Sequence, residues 1–84
     1  MKVVSLSVSC GVKLQTIIIY ELSDDMCDLN PIEIRKCDFD NLEKEALAAC
    51  ECFETQIVRC NDPGIEDWFK QRGYKLLNEI IKGA

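Results

Sequence analysis

The feature that most constrains the fold is a pair of strand-like stretches at the start of the chain, separated by a short turn that contains a glycine. In residues 2–10, Val4, Leu6, Val8 and Cys10 alternate with serines, as in a strand with one wet face. Residues 13–22, with the sequence KLQTIIIYEL, are rich in β-branched and aromatic side chains. With Gly11 as the turn between them, they predict a β-hairpin.

Patterns for further strands and helices follow the hairpin. Residues 23–31 predict a loop, and residues 31–39 a third strand in which apolar and charged side chains alternate. An apolar stripe at helical spacing predicts a helix from Asp40, the expected cap, to residue 53. Residues 55–60 predict a short strand. Asp62 then caps a second helix that Pro63 opens and Gly73 ends. Residues 74–82 suit either a strand or a helix, with a slight preference for a strand.

This order of elements predicts an α+β fold. We expect residues 1–84 to form a single domain, with an antiparallel sheet of about four strands packed on two helices as a two-layer sandwich. We also expect one of the adjacent aromatics, Phe69, to lie in the core with Ile65, and Trp68 to face outward. No run reaches the roughly 18 apolar residues of a membrane helix, so no membrane partner is expected. The prediction is a cytoplasmic protein with reduced thiols.

The charges are unevenly distributed along the chain. The net charge is −5, yet residues 21–67 hold fourteen of the fifteen acids and only four of the ten bases, for a net charge of −10. Because DNA binding depends on Lys and Arg neutralising phosphates, this acidic centre argues against a direct nucleic-acid partner. It favours a basic surface on another protein. The candidate contacts are Asp24, Asp25, Asp28, Asp38, Asp40, Glu43, Glu51 and Glu54.

The six cysteines do not match a known chemical site. The chain has no histidine, so Ser-His and Cys-His pairs are excluded, and no metal or other cofactor is expected. Cys50 and Cys52 would point to opposite sides of a helix. We expect Cys10 and Cys60 to be core residues and Cys27 to be exposed. The leading hypothesis is therefore a non-enzymatic protein-binding inhibitor or regulator, of the kind that phages use against host defence.

A second hypothesis comes from a family resemblance. The segment TQIVRCNDPGIEDWFKQRGYKLLNEI resembles the strand-turn-helix-strand part of the TusA/SirA family of small sulfur carriers. In that family a Cys-Pro-x-Pro motif carries a persulfide, and the nearest counterpart here is CDLNP, residues 27–31. The resemblance implies a thiol sulfur carrier that uses Cys27. A third possibility is a homodimer joined through the C-terminal segment, residues 74–82.

Overall fold

The computed structural model describes residues 1–25 and 27–83; Met26, part of the expected loop at 23–31, lies outside the described residues. These described residues form five strands and three helices, and a short 3-10 helix at Phe39–Asn41 connects the third strand to the first helix. The strands are β1 (Lys2–Ser7), β2 (Leu14–Leu22), β3 (Leu29–Asp38), β4 (Ile57–Cys60) and β5 (Lys75–Leu76). The helices are α1 (Leu42–Cys52), α2 (Pro63–Gln71) and α3 (Leu77–Gly83).

The sheet is mixed, with the strand order β3-β2-β1-β4-β5. β1 pairs with β2, and β2 with β3, in antiparallel fashion, whereas β4 is parallel to both β1 and β5. The α+β class and the N-terminal hairpin are therefore confirmed, but the expected antiparallel sheet of about four strands is wrong. The reason is topological: α1 and α2 each carry the chain back along the sheet, so the next strand starts at the same end as β1.

The main core lies between one face of the sheet and helices α1 and α2. Ile17 and Ile19 of β2 and Leu42 of α1 are fully buried in it. Phe69 is also fully buried, with Ile65 beside it and Trp68 only partly covered, as expected from the sequence. This cluster fixes α1 and α2 on one side of the sheet, where they cover the central strands β1 and β4.

The opposite face of the sheet is covered only in part. There a smaller cluster joins Val3, Leu22 and Leu77, the first residue of α3, with Tyr20, Leu29 and Ile57 packed around it. The segment 74–82, which suits either a strand or a helix in the sequence, contains one of each, since the two-residue strand β5 passes directly into α3. Within the described residues, no helix has the length and apolar character to cross a membrane.

Element ends agree with the sequence at α2 and differ at α1 and β1. The side chain of Asp62 caps α2, Pro63 is its first residue, and Gly73 has a φ of 86°, all as expected. Asp40 is not the cap of α1, because it lies within the 3-10 turn, and Asn41 takes the cap position without a side-chain hydrogen bond. The first strand ends at Ser7 rather than at residue 10.

Candidate functional site

The connections of the sheet change direction at β1. The chain moves from β1 through β2 to β3 on one side, and then crosses over through α1 to β4 on the other side. In open α/β sheets, ligands commonly bind beside the carboxyl ends of the strands at such a switch point. In this chain those ends are Ser7 with Val8, and Cys60 with Asn61. The search for a site therefore begins here.

Two side-chain amides hold the chain that leaves β1. The Asn61 carboxamide accepts a hydrogen bond from the Val8 N–H and donates one to the Val8 carbonyl, both at 2.8 Å. Gln15, only 2% exposed, accepts from the Ser9 N–H at 2.8 Å. Its Nε2 donates to the Ser9 carbonyl at 3.2 Å and to the Val12 carbonyl at 2.7 Å. These bonds replace the sheet pairing that ends at Ser7.

Asp62 is the carboxylate at the end of β4, and its side chain caps α2. Its Oδ1 accepts hydrogen bonds from the N–H groups of Gly64 at 2.8 Å and Ile65 at 3.3 Å. Its own N–H donates to the Cys60 sulfur at 3.4 Å, and burial raises the pKa of the Cys60 thiol. Among residues 1–25 and 27–83, no group of three Asp, Glu, Cys or His side chains could hold a metal ion.

Beside these strand ends lies the uncovered half of the second sheet face. Strand register places Arg59, Ser5, Ile18 and Ile34 in one row across β4, β1, β2 and β3, and Ser7, Thr16 and Lys36 in the next row. Ile34 is 61% exposed, because α3 reaches only the other half of this face. We call this surface the open face; its solvent-accessible members are Ser7, Thr16, Ile18, Ile34, Lys36 and Arg59.

The open face is basic, in contrast to the chain as a whole. Lys36 and Arg59 are exposed on it, and neither takes part in an ion pair within the described residues. The strands that carry them, β3 and β4, are three strand spacings apart, or about 14 Å. The acid nearest to this surface in register is Asp38, one row beyond Lys36 and opposite Leu14. Two cations thus flank a strip of hydroxyl and aliphatic side chains.

The eight acids selected from the sequence do not form one surface. Asp24, Asp25 and Asp28 lie in the β2–β3 loop, at the amino end of β1. There Ser23 donates a hydrogen bond to Asp25 and lowers the pKa of that carboxyl group. The end of α1 places two more acids, Glu51 and Glu54, at this end of the sheet, whereas Asp38, Asp40 and Glu43 lie at the other. Their assignment to a protein contact stays a prediction.

The cysteines separate into exposed and buried groups. Cys60 is buried and Cys27 is exposed, as expected, whereas Cys10 is exposed, contrary to expectation, because the strand stops before it. Cys50 is buried and Cys52 exposed, as their positions on α1 predict. Burial raises the pKa of Cys50 to about 11. Cys27 lies in a loop that leads into β3, not at the start of a helix, so the position of the sulfur carriers' motif is not reproduced.

The comparisons with known proteins show a shared fold and no family. No protein-family description and no curated protein matches the sequence. The crystal structure of the Fowlpox virus resolvase in complex with substrate Holliday junction DNA matches with a TM-score of 0.57 and 17% identity, over 92% of this chain and 58% of that chain. The crystal structure of the Fowlpox virus Holliday junction resolvase matches with a TM-score of 0.55 and 19% identity, over 90% and 58%. This chain thus spans less than two thirds of their length.

This likeness corrects the functional hypotheses drawn from the sequence. A fold shared with a resolvase contradicts the non-enzymatic, phage-type inhibitor, and the junction complex contradicts the exclusion of nucleic acid as a direct partner. The sulfur-carrier alternative lacks the motif position that the resemblance implied, since Cys27 does not precede a helix. The error arose because charge was counted along the chain. In the fold, Lys36 and Arg59 project from the open face, while Glu43, Glu51 and Glu54 belong to the helix layer or its end.

Proposed function

We propose that this chain is the DNA-recognition unit of a resolvase-type, DNA-processing enzyme, and that it binds branched DNA through the open face. The observation that carries the proposal is the fold shared, over 92% of the chain, with a resolvase in complex with Holliday junction DNA. The chain corresponds to 58% of that protein, so the proposal assigns to it the DNA contact and not a complete set of catalytic residues.

The charges of the open face support a phosphate contact. Lys36 and Arg59 are the cations available there, and the hydroxyl groups of Ser7 and Thr16 lie between them in register. Hydroxyl and cationic side chains provide most protein contacts to the DNA backbone. The separation of about 14 Å between the strands that carry the two cations is close to the ~12 Å width of the DNA major groove. The two side chains can therefore reach phosphates on both sides of a groove.

The acidic helix layer supports one orientation of the DNA. Helices α1 and α2, which cover the side opposite the open face, carry five of the acids: Glu43, Glu45, Glu51, Glu66 and Asp67. They repel a polyanion from that side, and the repulsion is strongest at low salt. The charge distribution therefore directs DNA towards the uncovered half of the sheet.

The binding test compares a four-way junction with a linear duplex of matched sequence by fluorescence anisotropy. We expect tighter binding of the junction, with an affinity that falls as salt rises. Lys36→Ala and Arg59→Ala should each lower the affinity and reduce the salt slope by about one unit. The control is Lys44→Ala, which removes the same charge from an exposed position on α1 and should leave binding unchanged. Failure of the unaltered protein to bind either DNA at low salt would contradict the proposal.

A separate assay tests the link to DNA processing. End-labelled four-way junction is incubated with the chain and resolved on a denaturing gel, with the linear duplex as the control substrate. Cuts near the branch point that disappear in the Arg59→Ala variant would support recognition coupled to cleavage. Cleavage that is equal on both substrates and insensitive to Arg59 would contradict recognition of branched DNA by the open face.

A further inference from the structure

β3 is the long exposed edge of the sheet. Within the described part of the chain it pairs with β2 on one side only, and it runs for ten residues, whereas the other edge strand, β5, has two. An unpaired edge presents a row of backbone N–H and C=O groups to any strand of suitable register. Two large aliphatic side chains on β3 are also exposed, Ile32 at 46% and Ile34 at 61%. This edge therefore has both polar and apolar groups available for a partner.

The side chains at the middle of β3 are complementary to themselves. Glu33 and Arg35 lie on the helix side of the sheet, opposite Ile19 and Ile17, while Ile34 between them lies on the open face. In an antiparallel pairing centred on Ile34, each Glu33 would face the Arg35 of the second copy, and the two Ile34 side chains would face each other. Opposite charges and aliphatic pairs in such directly opposed positions stabilise a sheet.

The neighbouring registers are unfavourable. In a symmetric antiparallel pair, directly opposed side chains belong to the same face of the sheet only when the two-fold axis passes between two copies of one residue. Moving the axis by half a residue would place side chains of opposite faces next to each other. A pairing centred on Glu33 would bring two carboxylates together, and one centred on Arg35 would bring two guanidinium groups together. The register centred on Ile34 also keeps the paired centre, Glu33 to Arg35, within the regular part of β3, residues 33–38.

An ion pair already present within one copy strengthens the argument. Arg35 forms an ion pair with Glu33 of the same strand, and this interaction raises the pKa of the guanidinium group. Its guanidinium group also lies over the Phe53 ring, 5.8 Å from the centroid. The two side chains are thus held on the helix side at the edge, and a second copy would complete an alternating square of four charges. Networks of charges hold better than isolated surface pairs.

We propose that the chain forms a two-fold symmetric homodimer in which two β3 strands pair in antiparallel fashion, centred on Ile34, to give one continuous ten-stranded sheet. The two-fold axis runs perpendicular to the sheet, so both open faces lie on the same side of the dimer. Pro31 and the irregularity in the β2–β3 pairing at Ile19/Tyr20 lie beyond Glu33, so the regular pairing between copies is confined to the residues around Ile34. This interface differs from the C-terminal one expected from the sequence, and it does not depend on DNA binding.

The test is a charge reversal with rescue, read by sedimentation equilibrium. The unaltered chain should have twice its monomer mass of 9.6 kDa. Glu33→Arg alone would set a second guanidinium group against Arg35 of the other copy, and we expect the dissociation constant to rise at least about tenfold. The double variant Glu33→Arg with Arg35→Glu restores opposite charges in the same register and should restore the dimer. Glu66→Arg makes the same charge change on α2, which packs on β4 and β5 at the other end of the sheet, and should leave the mass unchanged.

A second variant separates the interface from the fold. Ile34→Asp places two like charges at the two-fold axis while changing a side chain that is already 61% exposed, so we expect a folded monomer with an unaltered circular dichroism spectrum. A monomeric unaltered chain would overturn the proposal. A dimer that survives Glu33→Arg and Ile34→Asp, or a double variant that remains monomeric, would overturn it as well.

Discussion

Asn61 binds Val8 with both ends of its carboxamide, accepting from the backbone N–H and donating to the carbonyl at 2.8 Å each. The two residues follow the neighbouring parallel strands β4 and β1, so the side chain continues the pairing one step beyond the last backbone pair, Leu6 with Cys60. The carboxyl ends of the two central strands are therefore joined by a side chain where the backbone ladder stops.

Removing this link should destabilise the fold. Asn61→Ala loses two hydrogen bonds of about 0.5–1.5 kcal/mol each, and we expect the free energy of unfolding to fall by about 1–2 kcal/mol. Urea denaturation measures the change. Asn78→Ala is the matched control, because Asn78 is an exposed asparagine of α3 with no side-chain hydrogen bond among the described residues. A smaller loss in Asn61→Ala than in the control would contradict this role.

Gln15 should be more costly to replace, because it is buried and makes three hydrogen bonds. In Gln15→Glu, a carboxylate would face the carbonyls of Ser9 and Val12, and we expect a loss of about 2–3 kcal/mol at neutral pH. The neutral acid can donate to one carbonyl, so folding would raise the pKa of the new group. Stability relative to the unaltered chain should then recover as the pH falls towards about 4.

The same change at exposed Gln56 provides the control for this pH dependence. Gln56→Glu should give nearly the same stability difference from the unaltered chain at pH 7 and at acidic pH. Thermal melts over a pH series measure both variants. A Gln15→Glu protein with no recovery on acidification would show that the donor at this position is not needed.

Glu54 lies just after α1 in the left-handed backbone conformation that favours glycine. Its φ is 52°, and the Thr55 N–H donates to the Cys50 carbonyl at 2.9 Å, as in a helix that closes with a left-handed residue. Glu54→Gly should therefore raise the free energy of unfolding by about 0.5–1 kcal/mol. Glu51→Gly, inside the same helix, should lower it by about 1 kcal/mol. Chemical denaturation of both variants checks the opposite signs.

The Cys50 thiol should make the fold sensitive to alkaline pH. Burial raises its pKa from 9.0 to about 11, so the unfolded chain releases this proton first. The stabilisation that comes from this pKa difference is fully present below pH 9. It is lost as the pH rises to about 11, and the free energy of unfolding then falls by about 2–3 kcal/mol. In Cys50→Ala this part of the decline should be missing. Denaturation at pH 8 and pH 10.5 compares the two slopes, and identical slopes would contradict the prediction.

Local patterns in the sequence predicted the elements well, because each depends on neighbours along the chain. The β-branched run around Ile18, the stripe through Leu42 and Ala46, and the Asp62 cap all concern residues within a few positions of each other. The parallel placement of β4 was missed, because it depends on where α1 returns the chain. Asn61 was missed for the same reason, since its bond to Val8 spans 53 residues, whereas the bonds of Gln15 are local and span only three to six residues.

The candidate site was harder to predict than the fold. Lys36 and Arg59 lie 23 positions apart in the sequence, within its most acidic part, and only the strand register brings them to one face. The serine alternation in β1 predicted a wet face, but Ser5 is 5% exposed, since Ile18 and Arg59 flank it. Charge along a chain and charge across a surface are different quantities, and recognition depends on the second.

The central position of β1 affects how the protein is made. During synthesis, β2 follows β1 after a few residues and can pair with it at once. The strand that pairs with the other side of β1 contains Val58, which is made more than fifty residues later. Until then, a nascent chain that has already folded its first three strands carries an apolar central strand with one uncovered edge. Ribosome-bound intermediates that end before β4 should therefore be the species that chaperones hold and that self-associate when chaperones are scarce.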